Sequence, residues 1–345
     1  MKRGVVCALF AAALFGLSAP LGKLLLGHVP PQLLAGLLYL GAGIGLSVVR
    51  LARRSSDPPL RQNDAPLLAG VILFGGVIGP LLLLVGLSRV SALTGALLLN
   101  LEAPFTMALA VLFGEHLGRR AALAGLLVVG GSALLGLGPG ALGGQSLGAL
   151  AIAGACLSWG LDNNLTQRLS SKDPIVIVQY KTLGAGLFAV PLALVMGAHL
   201  PAAPLCAAAL ALGLFSYGAS IVLDVWALRL LGAAREAPLF ATAPFVGAAA
   251  AVPLLGDRPR PLDLAAAALM VAGVWLLIRE KHGHLHHHHA MDHEHAHTHD
   301  DPHHRHAHPD GETPPPGVAH SHPHHHDAME HEHPHVPDAH HRHKH

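Results

Sequence analysis

The chain has 345 residues, of which 52% are hydrophobic and 12% charged, and 22 Lys and Arg against 21 Asp and Glu leave a formal net charge of +1. A soluble domain carries about twice that share of charge, and so even a balance offers no electrostatic footprint for a nucleic-acid partner. Its 39 glycines would weaken helices in water but suit lipid, where small side chains let helices approach closely.

In chain order, Lys2 and Arg3 lead into a first apolar run. Because many more such runs follow, it reads as an uncleaved helix and not as a signal peptide. The apolar blocks predict helices over 4–26, 32–50, 66–87, 92–113, 121–138, 146–165, 174–196, 205–227, 233–255 and 262–278. Each approaches the roughly 20 residues a helix needs to cross a bilayer, and lipid forces backbone groups to bond within the segment. The fold class expected is an all-α integral membrane protein of ten transmembrane helices. Cys7, Cys156 and Cys206 lie inside apolar blocks without CxxC spacing and read as small buried hydrophobes. Lys2, Arg3, Arg50, Arg53, Arg54, Arg61, Arg119, Arg120, Arg168, Lys172, Arg229, Arg235, Arg279 and Lys281 fall on one side, against Arg89, Arg258, Arg260 and Lys23 on or near the other. The positive-inside rule then puts both termini in the cytoplasm, at a bacterial inner membrane.

The two halves echo one another. Leu101-Glu-Ala-Pro-Phe105 answers Ala241-Thr-Ala-Pro-Phe245, Phe15-Gly16 answers Trp159-Gly160, and Gly114-Glu115 answers Gly256-Asp257. Gly130-Gly-Ser-Ala-Leu-Leu135 answers Ala272-Gly-Val-Trp-Leu-Leu277, and every offset lies between 140 and 144 residues. One five-helix unit is therefore used twice, over 1–139 and 140–280. Five is odd, so the second copy enters the membrane from the opposite face. Inverted repeats of this kind build alternating-access transporters with a site near the midplane.

The stretches Gly86-Leu-Ser-Arg-Val-Ser-Ala92, Leu101-Glu-Ala-Pro-Phe-Thr106 to Phe113-Gly-Glu115, and Ser158-Trp-Gly-Leu-Asp-Asn-Asn-Leu165 resemble EamA-type members of the drug/metabolite transporter superfamily. The resemblance covers residues 5 to 278 and implies export or exchange of small organic metabolites, often coupled to protons or a counter-substrate. The second-half Gly256-Asp257-Arg-Pro departs from the Gly-Glu turn of the first half.

Ionisable groups at bilayer depth are costly and mark function. Glu102 stands near the middle of the fourth span, with Asn100 and Thr106 beside it and Pro104 freeing the Asn100 carbonyl. A carboxyl in an apolar site is suited to exchange a proton; the alternative is a buried structural acid. The equivalent second-half position is Thr242. A second cluster holds Asp162, Asn163, Asn164 and Gln167, with Gln179, Tyr180, Lys181 and Asp224. Lys181 either snorkels, or pairs with Asp162 or Asp224 to close the inner side of a cavity, or meets an anionic substrate. Tyr217, Trp226 and Lys23 read as packing or interface anchors, and His28, His116 and His199 as boundary residues.

The tail 281–345 is different text. All histidines but His28, His116 and His199 lie there. They include His286, His287, His288 and His289, then His293, His295, His297 and His299, and later His331, His333 and His335. Recurrent proline and sparse apolar residues predict a disordered segment. Imidazole suits zinc, nickel, cobalt or copper(II), so the tail is a candidate metal-binding, regulatory stretch that weakens its grip as histidines protonate below about pH 6.5. A pH-sensitive tether is the competing reading. No cofactor is required. The function expected is secondary transport of a small molecule through the lipid bilayer, with a homodimer compatible; the alternative is a divalent-metal transporter or sensor. With neither a nucleophile–base pairing nor a phosphate loop, the sequence does not predict an enzyme.

Overall fold

The computed structural model describes residues 2–53, 59–113, 117–136, 144–169, 172–231 and 239–278, with the backbone of 283–288, 291–297, 320–326 and 329–334. Up to Ile278 the described chain is helical. Seven helices are long and apolar enough to cross a membrane: α1 Lys2–Leu26, α2 Pro31–Ala52, α3 Gln62–Leu87, α4 Ala92–Leu112, α6 Gly144–Gln167, α7 Pro174–Val195 and α8 Ala203–Ala227. Three more are seen among the described residues, α5 Arg119–Gly136, α9 Ala243–Leu255 and α10 Pro261–Ile278. Local chemistry sets the ends. Pro31 and Pro174 open α2 and α7, where a missing N–H leaves nothing unsatisfied. Ser91 Oγ accepts from the Thr94 amide at 3.1 Å to start α4, and Asp173 Oδ1 from the Ile175 amide at 2.9 Å to start α7. Gly256, at φ 69°, ends α9 in the left-handed region where a Cβ is disfavoured.

Packing follows the duplication. Exchanging the two sets of five helices maps the main contacts onto themselves: α2 on α7, α5 on α10 and α4 on α9 are self-paired, α1 on α8 matches α6 on α3, and α9 on α1 matches α4 on α6. Glycines set the closest crossings. A Cβ at Gly213 would meet the Leu38 Cα at 2.8 Å, and one at Gly41 would meet the Leu210 Cα at 2.8 Å, so α2 and α8 touch backbone to backbone. Gly16 lies on Ala243 and Gly247 of α9, and Gly160 on Phe105 and Thr106 of α4; the motif pair Phe-Gly and Trp-Gly thus makes equivalent contacts in the two halves.

Helical regularity breaks in matched places. A π-helical stretch spans Val71–Ile78 in α3 and another Leu214–Ala219 in α8. The fourth and ninth spans were expected to run unbroken over 92–113 and 233–255, and both are interrupted. A 3-10 turn occupies Leu99–Leu101, and a turn at Ala241–Thr242 precedes α9. Pro104 and Pro244 explain this, since neither can donate to the carbonyl one turn back, at Asn100 and Phe240. In the tail, the backbone of Gly283–His288 lies antiparallel to Met329–Pro334, and that of Met291–His297 to His320–His326.

Among the described residues the buried apolar side chains form one large cluster and three small ones. On the side opposite Lys2, one continuous cluster joins Val29, Leu33, Leu34, Leu87, Val90, Ala92 and Leu93. Toward the Lys2 side the buried residues separate into three small groups: Ala8 with Ala227, Leu46 with Ile175 and Val222, and Val71 with Leu169 and Ile177.

Candidate functional site

The π stretch of α3 organises the centre. The Gly79 amide bonds the Phe74 carbonyl five residues back, and Pro80 has no N–H to offer Gly75. The Gly75 carbonyl therefore takes its donors from side chains, Tyr39 Oη at 2.9 Å and Trp159 Nε1 at 3.1 Å, while Ser158 Oγ donates to the Phe74 carbonyl at 2.8 Å. π-bulges recur at functional sites because they leave such groups open. In α8 the Ser220 hydroxyl donates to the Ser216 carbonyl at 2.7 Å. Around this centre the rings of Phe15, Tyr39, Tyr217 and Phe240 interlock with centroids 5.5–5.8 Å apart.

On α4, Glu102 follows the 3-10 turn directly. Its Oε1 accepts from Asn163 Nδ2 at 2.9 Å, and the same nitrogen lies 3.3 Å from Thr106 Oγ1, whose hydroxyl donates to the Glu102 backbone carbonyl at 2.9 Å. Asn164 Nδ2 donates to the Thr106 and Gly160 carbonyls at 3.1 and 2.8 Å, pinning α6 to α4. Asn163 is exposed although it lies nearly opposite the exposed stripe Leu147, Leu150, Leu157 on α6, given about 3.6 residues per turn. Its exposure is therefore to space inside the bundle and not to lipid.

One turn away, Lys181 Nζ on α7 donates to Asp162 Oδ2 on α6 at 2.7 Å, and Asp162 Oδ1 accepts from Thr166 Oγ1 at 3.3 Å. Of the two partners the sequence offered Lys181, the structure selects Asp162; Asp224 sits on α8 outside this pair. Gln179 faces the other way and links α7 to α2, accepting from Arg50 Nη1 at 2.9 Å and donating to Ser47 Oγ at 2.8 Å. Asn100 is turned from Glu102 as well: its Nδ2 donates to the Leu97 carbonyl at 2.9 Å and faces the Met270 sulfur of α10. Thr242 Oγ1 bonds the Leu239 carbonyl at 2.6 Å within its own segment.

Thus Glu102, Thr106, Asn163, Asp162 and Lys181 gather, while Asn100, Asp224 and Thr242 do not join them. Tyr39 and Ser158 carry roles that hydropathy alone did not suggest. Phe15 and Trp159 had entered only as repeat markers, and Tyr217 as packing. A signal was available in Pro80, which follows Gly75 by five residues and leaves that carbonyl without a backbone donor. The opposite end is closed by polar contacts. Lys23 Nζ donates to the Leu87 and Val90 carbonyls, and Asp257 Oδ2 accepts from the Leu93 amide at 2.8 Å, joining the second half to the start of α4. Lys23 thus ties α1 to the connection between α3 and α4. Among the described residues no three His, Cys, Asp or Glu side chains gather as metal ligands. His28 and His199 are exposed, and His116 and the tail side chains lie outside the described residues.

The sequence matches the EamA-like transporter family twice, over residues 2–137 and 146–279. An uncharacterized transporter of Methanothermobacter thermautotrophicus is 30% identical over 296 residues, covering 79% of this chain and 85% of that one. A solved crystal structure of a protein shares the fold with a TM-score of 0.57 at 23% identity, over 80% of this chain and 96% of the other.

Proposed function

The chain belongs to the EamA-like transporter family, a multi-pass membrane protein built of two repeats, and from that premise we propose that it is a secondary transporter moving a small organic metabolite by alternating access. Ten spans, inverted about the midplane, would rock around the centre between α3, α4, α6 and α7. Both termini would face the cytoplasm of a bacterial inner membrane. Coupling is to protons, or to exchange of a counter-substrate, at Glu102.

One observation carries this reading. A carboxylate at the middle of α4 stands beside an amide of α6 that faces interior space, at the contact between the two repeats. A polar centre between two inverted repeats is where an alternating-access cycle holds its substrate. Lys181 with Asp162 supplies an ion pair beside that centre, between α6 and α7, as the proposed inner gate. The test is flux in proteoliposomes under an imposed pH gradient. Glu102→Gln should abolish proton-driven flux while the protein still inserts, and undiminished pH-driven transport by that variant would refute the assignment.

The tail is proposed as a metal-responsive appendage, resting on its runs of imidazole beside Asp and Glu. Deleting residues 282–345 separates this from the alternative of a metal transporter or sensor. Loss of nickel, cobalt or zinc phenotypes with organic flux unchanged would favour the latter.

A further inference from the structure

Hydrogen-bonding capacity at the centre is lopsided. The donors there are spent internally: Tyr39 and Trp159 on the Gly75 carbonyl, Ser158 on Phe74, Thr106 on the Glu102 carbonyl, Asn163 on Glu102 Oε1 and Thr106, and Asn164 on Thr106 and Gly160. Lys181, the one cation of the set, gives one of its three N–H donors to Asp162 at 2.7 Å. Around Glu102 itself, what stays open is acceptor capacity. Among the described residues no donor bonds Glu102 Oε2 and no cation lies within ion-pair distance of Glu102. A carboxylate only accepts, so Asn163 must turn its nitrogen to Glu102 and leave its own carbonyl oxygen toward the interior space. The formal charges of Glu102, Asp162 and Lys181 leave one negative charge uncompensated. The Tyr39 ring packs tilted against Tyr217, with centroids 5.5 Å apart. Aromatic faces attract cations and repel anions.

We infer that the central site takes an amine-bearing organic cation, whose ammonium group bonds Glu102 Oε2 and the Asn163 carbonyl oxygen while its apolar body lies toward the Phe15, Tyr39 and Tyr217 rings. This rests on the transporter reading and names its substrate class. The complementarity is one-sided: an ammonium brings the donors and the charge that the site lacks, whereas a carboxylate of the same skeleton brings two more acceptors and a like charge. A neutral amide brings donors but no charge.

The test is equilibrium binding to the purified full chain in detergent, so that it does not depend on flux. Tritiated phenethylamine is the probe, with butylamine, tyramine and putrescine as further amines, and hydrocinnamate and hydrocinnamamide as anionic and neutral counterparts. Amines should bind, with the carboxylate and the amide weaker by about thirtyfold or more, the loss expected when a desolvated charge is left unpaired. Glu102→Gln should lower amine affinity by a similar factor, while Glu102→Asp, which keeps the charge, recovers most of it. Comparable thermal melts and elution volumes of the three proteins exclude misfolding as the cause. Equal competition by hydrocinnamate, unchanged amine binding in Glu102→Gln, or no binding by any amine of the panel would each overturn the proposal. Amine binding without flux in proteoliposomes would sink the transporter reading alone, and flux of an anionic metabolite with amines excluded would sink the substrate class alone.

Discussion

Replacing Lys181 by Met should destabilise the protein more than any surface lysine change, because of what it leaves behind. Nζ stands 2.7 Å from Asp162 Oδ2, and the two side chains are 17% and 4% exposed. At an effective dielectric of about 20 the attraction at that separation is about 6 kcal/mol, and desolvation of the two ions takes back several kcal/mol. Removing the lysine alone forfeits the attraction but keeps Asp162 in its dry position, where Thr166 Oγ1 at 3.3 Å is poor compensation. The expected cost is about 3–5 kcal/mol. Asp162→Asn in the same background removes the stranded charge, so the double variant should recover most of the loss. The assay is a double-mutant cycle by denaturant or thermal unfolding of the full chain in detergent. If Lys181→Met and the double variant were equally unstable, or if Asp224→Asn rescued as well as Asp162→Asn, the pairing would be wrong.

Tyr39→Phe and Trp159→Phe should each cost about 1 kcal/mol, and together more than their sum, because only the pair of changes strips the Gly75 carbonyl of both side-chain donors; the cycle is read by the same unfolding assay. Gly213→Ala places a Cβ against the Leu38 backbone, which cannot move without parting α2 from α8, so a loss of about 1–3 kcal/mol or of folded yield is expected. Gly256→Ala should cost about 1–2 kcal/mol through its left-handed φ alone, since nothing stands within 4 Å of the added Cβ. A peptide of residues 282–345 should bind nickel or zinc by titration calorimetry at pH 7.5 and release it as the pH falls through about 6.5.

How much of this was legible beforehand differs residue by residue. The apolar blocks, the five-helix repeat and the depth of Glu102 and Lys181 could all be read from the chain, since a bilayer imposes helix length and a price on buried charge. Which groups meet could not. Glu102 might have faced any neighbour; the crossing of α4 and α6, set by Gly160 against Thr106, gives it Asn163. Lys181 had two acids within plausible reach in sequence terms, and the packing of α6 beside α3 and α7 chose Asp162. Asn100, two residues from Glu102, was drawn into the same site on paper, yet the 3-10 turn at Leu99–Leu101 turns it to α10. The sequence by itself determined the helices, their duplication and the identity of the buried charged groups, because hydropathy and spacing act along the chain. Only tertiary structure decided that Lys23 and Asp257 bond the backbone around the start of α4 and that Glu102 keeps a spare acceptor, because donor and acceptor are matched between helices far apart in the chain.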